Sequence, residues 1–148
     1  MLVRVDFMDL RDTLSVLSGA IRCFPAVHVG LRYGDYYLTV PRGETSSWRS
    51  ADIAERVVSK HIRSSFIIDP PDHDPKLVSL LGEGHRVSST PWMVATEFMM
   101  LLPVTPKRTT CVGVVSTLLC AMGLPVRTSN PVELHRLLRS CEHCRQSK

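Results

Sequence analysis

Cys111 and His28 are the residues whose types and settings could do chemistry together: a thiol nucleophile and an imidazole base. Cys111 stands in Arg108-Thr-Thr-Cys-Val-Gly-Val-Val-Ser-Thr-Leu-Leu-Cys-Ala-Met-Gly-Leu-Pro125. This stretch reads as a short loop, a helix opening near Cys111, and a stop at Gly123-Leu-Pro125. Thr109 and Thr110 are suitable N-caps, and a glycine followed by proline is a normal helix ending. The Cys111 sulfur then lies in the first helical turn, where unpaired N–H groups and the positive end of the helix dipole favour a thiolate. A base within hydrogen-bond reach would turn that placement into acyl-transfer chemistry.

That base should sit on a rigid element. Of the six histidines, His28 fits best, because it falls in a predicted strand. Phe24 to Val40 reads as a β-hairpin: Ala26-Val-His-Val-Gly-Leu-Arg-Tyr33 and Tyr36-Tyr-Leu-Thr-Val40 flank the turn dipeptide Gly34-Asp35. A two-residue turn pairs Tyr33 with Tyr36 and Gly30 with Thr39. His28, Gly30, Arg32, Tyr37 and Thr39 then share one sheet face. Gly30 is expected to leave that face uncrowded for a helix end or a substrate.

His28-Val-Gly-Leu-Arg-Tyr-Gly-Asp-Tyr-Tyr-Leu-Thr-Val-Pro resembles the histidine hairpin of NlpC-type and related papain-like cysteine peptidases, and Thr110-Cys-Val-Gly-Val-Val resembles their cysteine-bearing helix start. Histidine precedes cysteine here, as in the circularly permuted branch that includes lecithin-retinol-acyltransferase-like proteins. Thr128-Ser-Asn-Pro-Val-Glu-Leu-His-Arg-Leu-Leu is similar to the segment after the cysteine helix in small phage-encoded members. The resemblance covers the hairpin and residues 108–139. It implies Cys111 as nucleophile, His28 as base, and the Cys111 N–H as part of an oxyanion hole. A polar residue on the next strand would orient His28. Thr39 holds that position, and Glu44, just beyond the strand, is a second candidate. The implied reaction is hydrolysis of a peptide, amide or ester through a thioester on Cys111. Phage structural proteins are implied as further partners, with cytoplasmic synthesis followed by association with the virion. Thr110 departs from the acidic or amide residue usual before the cysteine, and Thr39 from the usual histidine, asparagine or aspartate. An inactive descendant acting as a virion or host-interaction protein is therefore the alternative.

The remaining elements follow from periodicity. A helix is expected over residues 9–22, and another from Trp48 to Ser64 with Ile53, Val57 and Ile62 on one face. Phe66-Ile-Ile is strand-like, Asp69-Pro-Pro-Asp-His-Asp-Pro is a surface connection, and Lys76 to His85 is a short helix. Arg86 to Val104 should hold one or two strands. Asn130 caps a helix with Pro131 at its first position. Cys23 and Cys120 are expected in the core, and His61, His73, His85 and His135 facing solvent. Cys141-Glu-His-Cys144 could clamp zinc with His143 or His135, but no second pair completes four ligands, so neither metal nor other cofactor is assigned.

At 148 residues and 44% hydrophobic content, the chain fits one α+β domain over residues 1–140. Its expected core is a small antiparallel sheet packed against the cysteine helix, with a flexible basic tail over 141–148. The net charge of +4 is scattered and not interleaved with aromatics, which argues against nucleic acid. The most apolar run, Trp92 to Val104, is too short to span a bilayer. The acidic N-terminal stretch lacks a signal-peptide pattern, and five cysteines without framework spacing point to a reducing site of synthesis.

Overall fold

A computed structural model describes residues 1–9, 28–40, 45–86 and 110–147. Among them the chain is α+β, with a six-stranded antiparallel open sheet and four α-helices. In chain order these are β1 (Val3–Met8), β2 (His28–Tyr33), β3 (Tyr36–Thr39), β4 (Ser47–Ser50), α1 (Ala51–Val58), β5 (Ile62–Ile68), α2 (Pro75–Gly82), α3 (Cys111–Ala121), α4 (Pro131–Ser140) and β6 (Cys144–Ser147). The strand order is β4-β3-β2-β1-β5-β6. Each neighbouring pair is antiparallel.

Alternation explains the central strand. In β1, Val3, Val5 and Phe7 point to one face, while Arg4 and Asp6 point to the other. The register sets Val3 against Tyr33, Val5 against Leu31 and Phe7 against Val29. On the other side of β1, Val5 pairs with Phe66 and Val3 with Ile68. These residues make one apolar sheet face, and the main core forms where Val112, Val115, Leu118 and Leu119 of α3 and Leu134 and Leu138 of α4 cover it. Burial of each large aliphatic side chain contributes about 1.5–3 kcal/mol. Buried Ser116 secures the chain beyond α3: its hydroxyl donates to the Val126 carbonyl at 2.6 Å and accepts from the Thr128 N–H at 3.0 Å.

The hairpin follows the expected register, with Tyr33 opposite Tyr36 and Leu31 opposite Leu38 around Gly34-Asp35. Gly34 has φ of 60°, which favours glycine. Thr110 caps α3 by accepting from the Gly113 N–H at 3.1 Å, and Asn130 caps α4 by accepting from Val132 at 2.9 Å with Pro131 at the helix start.

Three expectations are corrected. Trp48 to Ser64 is not one helix. Ser47–Ser50 pairs with β3, putting Trp48 opposite Leu38, and strand structure resumes at Ile62. The pairing directs Trp48 to the core side, where its indole N–H donates to the Ser79 carbonyl at 2.9 Å and docks α2. Within α1 the small residues Ala51 and Ala54 are the buried ones, packed on Tyr37, while Ile53 and Val57 are 64% and 65% exposed. The third correction concerns the end of the chain. Residues 144–147, assigned to a flexible tail, form the edge strand β6 against β5. The helix over 9–22 lies almost wholly outside the described residues. The strands after Arg86 and the positions of Cys23 and Glu44 lie outside them too.

Candidate functional site

The first turn of α3 carries Cys111. Thr110 is extended at φ −118° and ψ 164°, so the helix opens at Cys111 itself. Its N–H groups project from a capped terminus, as the sequence implied. Cys111 is only 3% exposed and belongs to the same core cluster as Val29 and Leu31 of β2, against which α3 packs.

His28 is the first residue of β2, half-buried, and paired across the sheet with Met8. Alternation assigns it to the face of Gly30, Arg32, Tyr37 and Thr39, in agreement with the hairpin register. α3 packs on the opposite face, that of Val29 and Leu31. The elements carrying the two residues are thus in contact, while the strand's alternation sends their side chains to different faces. Thr39 Oγ1 donates to the Ser47 carbonyl at 3.0 Å and lies 3.3 Å from Ser47 Oγ. Its proton is committed to the β3–β4 pairing, so toward an imidazole it could offer only a lone pair.

Gly30 does not leave open space. A Cβ there would fall 2.9 Å from Met8 Cε and still nearer the Tyr37 hydroxyl. The glycine is needed because Tyr37 lies across it to reach Asp6, which overturns the reading of Gly30 as room for a substrate.

The polar centre of this face went unremarked in the sequence. Asp6 is fully buried. Its Oδ1 accepts from Arg4 Nε at 2.9 Å and Ser65 Oγ at 2.6 Å, and its Oδ2 from Arg4 Nη2 at 3.1 Å and Tyr37 Oη at 3.0 Å. Glu55 of α1 accepts from Arg4 at 2.6 Å and from Arg32 at 2.7 Å. Two guanidinium groups thus meet two carboxylates. Burial pulls the Arg4 guanidinium down, but the bond and charge of Asp6, followed by Glu55, outweigh it and hold it above its ordinary value. For Glu55 burial acts upward, and the bonds and charges of Arg32 and Arg4 prevail, leaving its carboxyl below the usual range. Burial first, and then Asp6, raises the Tyr37 phenol, which stays a neutral donor. With its acceptor sites taken by four donors, Asp6 is poorly placed to act as a base; the cluster clamps α1 onto the sheet. Its signal was the Arg4-Val-Asp6 alternation in β1.

The other histidines are placed unlike the solvent-facing expectation. His135 of α4 sits edge-on between Phe7 and Phe66, each ring centroid 5.0 Å away, with Nε2 3.1 Å from Ser64 Oγ. Burial, then the Arg139 charge, lowers its pKa. His73 Nδ1 bonds the Pro71 carbonyl at 2.8 Å, which requires a proton on Nδ1, and Nε2 lies 2.7 Å from Tyr33 Oη. Tyr33, His73, Asp69, Asp72 and Met1 line a pocket of about 200 Å³. Burial and the Asp74 charge raise the Tyr33 phenol, so it donates to His73. Cys111, His28 and Thr39 do not line this pocket.

Cys120 is half-buried and its thiol donates to the Val126 carbonyl at 3.2 Å. Among the described residues no group of three or more His, Cys, Asp or Glu is arranged to hold a metal ion, and no helix is long and apolar enough to cross a membrane. Comparison with protein-family models, curated proteins and solved structures returns no match.

Proposed function

We propose that the protein is a cysteine hydrolase of permuted papain-like architecture, acting on an amide or ester bond through a thioester on Cys111. The supporting observation is that Cys111 opens a capped helix, α3, which packs on β2, the strand headed by His28. At a helix start the sulfur of Cys111 gains from the terminal N–H groups, and those same groups are where an oxyanion would form. His28 is the base in this reading. Thr39 contributes at most a lone pair, since its proton goes to Ser47. The substrate is a peptide, amide or ester, and phage structural proteins are candidate partners at a virion.

The direct test is covalent trapping. A p-nitrophenyl acyl ester mixed with the protein should leave one acyl group on Cys111, found by peptide mapping, and Cys111→Ala should abolish both the adduct and turnover. Acylation confined to other residues would refute the assignment.

A second reading, a non-catalytic interaction protein with this fold, draws on two observations. Cys111 is 3% exposed, and alternation directs His28 away from the α3 face. On that reading Cys111 is a small core residue, and no acyl group accumulates on it.

A further inference from the structure

The hydrolase reading leaves Cys141 and Cys144 unused. Cys141 ends α4, its N–H donating to the Leu138 carbonyl at 3.3 Å. Glu142 and His143 form a turn, closed by the Cys144 N–H donating to the Cys141 carbonyl at 3.2 Å. A turn so closed holds its end residues within the Cα separation that a disulfide spans. Both side chains lean on the main core from the two ends of this turn. Both are thiols in this structure. Zinc is a poor occupant: among the described residues no group of three or more His, Cys, Asp or Glu is arranged to hold a metal ion, and His135 is held between Phe7 and Phe66.

We propose that Cys141 and Cys144 are a reversible dithiol–disulfide site, oxidised by low-molecular-weight disulfides, whose closure staples the end of α4 to the start of β6. The Cys141 thiolate attacks one sulfur of the small disulfide, whose S–S bond breaks and releases one thiolate. The Cys144 thiol then gives its proton to solvent and attacks the Cys141 sulfur. That step forms the internal bond and expels the second thiolate. Two electrons pass from the protein dithiol to the small disulfide, giving two small thiols.

The setting determines the character of the site. Burial, then the Cys141 bond and charge, pushes the Cys144 thiol up to about 12. The negative end of the α4 dipole gives a thiolate no help there. A dithiol whose thiolate form is not stabilised favours the disulfide once it forms, so this is a lock and not an oxidant of other proteins. Closure should quicken as pH rises, because the second attack requires Cys144 to ionise.

Trypsin cleavage after Arg139 and Arg145 releases both cysteines in one peptide, Ser140–Arg145. The experiment equilibrates the full chain with glutathione at fixed reduced-to-oxidised ratios, native and in urea, then quenches with N-ethylmaleimide and maps peptides. The expected result is an internal disulfide in Ser140–Arg145, favoured in the folded chain over the unfolded one by roughly tenfold or more. In Cys144→Ser, glutathione should instead remain attached to Cys141. Equal disulfide content in native and urea-unfolded protein would overturn the proposal, as would stable glutathione adducts in the wild type without the internal bond.

Discussion

Asp6 is the polar centre of the sheet face that α1 covers, buried and accepting four hydrogen bonds. It is a carboxyl group at zero exposure, and its burial is tolerable because Arg4, Tyr37 and Ser65 supply those four bonds. Asp6→Asn keeps the shape but sets an amide NH2 among buried donors and leaves the part-buried Arg4 with Glu55 alone, so it should cost about 2–4 kcal/mol. Tyr37→Phe removes one neutral donor and should cost about 1–2 kcal/mol. Urea titrations of the two variants measure both values, and near-equal small losses would show that the cluster is not a charge clamp. Gly30 belongs to the same cluster, since any side chain there displaces the Tyr37 ring. Hairpin alternation foretold its face. It could not foretell that a tyrosine from the next strand would fill it, because long-range side-chain packing leaves no local pattern.

The helices with strong caps were legible from sequence: Thr110 before Cys111 and Asn130 before Pro131 set both starts, and local chemistry suffices for a cap. Of the helix expected from Trp48 to Ser64, the middle is helical, Ala51–Val58, and both ends belong to strands. An apolar recurrence at helical spacing there competes with a strand fixed by Leu38 opposite Trp48, and tertiary pairing overrides the local period. β6 was missed because Cys144–Ser147 is short and polar, as an edge strand can be. It nonetheless covers β5, pairing Cys144 with Ile68 and Gln146 with Phe66. Deleting residues 144–148 should therefore lower the melting temperature by several degrees, about 2–4 °C for each kcal/mol lost. An unchanged melt would mean that β6 adds no stability.

At the scale of the molecule, two part-buried groups among the described residues, His135 and Glu55, make stability fall with acid. His135 has a folded pKa below its ordinary 6.5, so it stabilises the fold fully above pH 6.5, and that contribution is lost as pH falls from there through the lowered value. Glu55 has a folded pKa below its ordinary 4.5, so its contribution holds above pH 4.5 and is lost beneath it. Melting temperature should decline in two stages on acidification. His135→Phe should remove the upper stage and Glu55→Gln the lower, and retention of either stage in its variant would reassign it. The pairing of β2 with α3 brings together the two segments that sequence chemistry singled out, though strand alternation, which the hairpin pattern revealed in full, directs His28 to the other sheet face. Whether imidazole and sulfur act as one unit is answered by the rate of Cys111 alkylation against pH in the wild type and in His28→Ala. A working pair gives a wild-type midpoint well below the ordinary thiol value of about 8.5, moved upward in His28→Ala. Superimposable curves for the two proteins would contradict the hydrolase assignment.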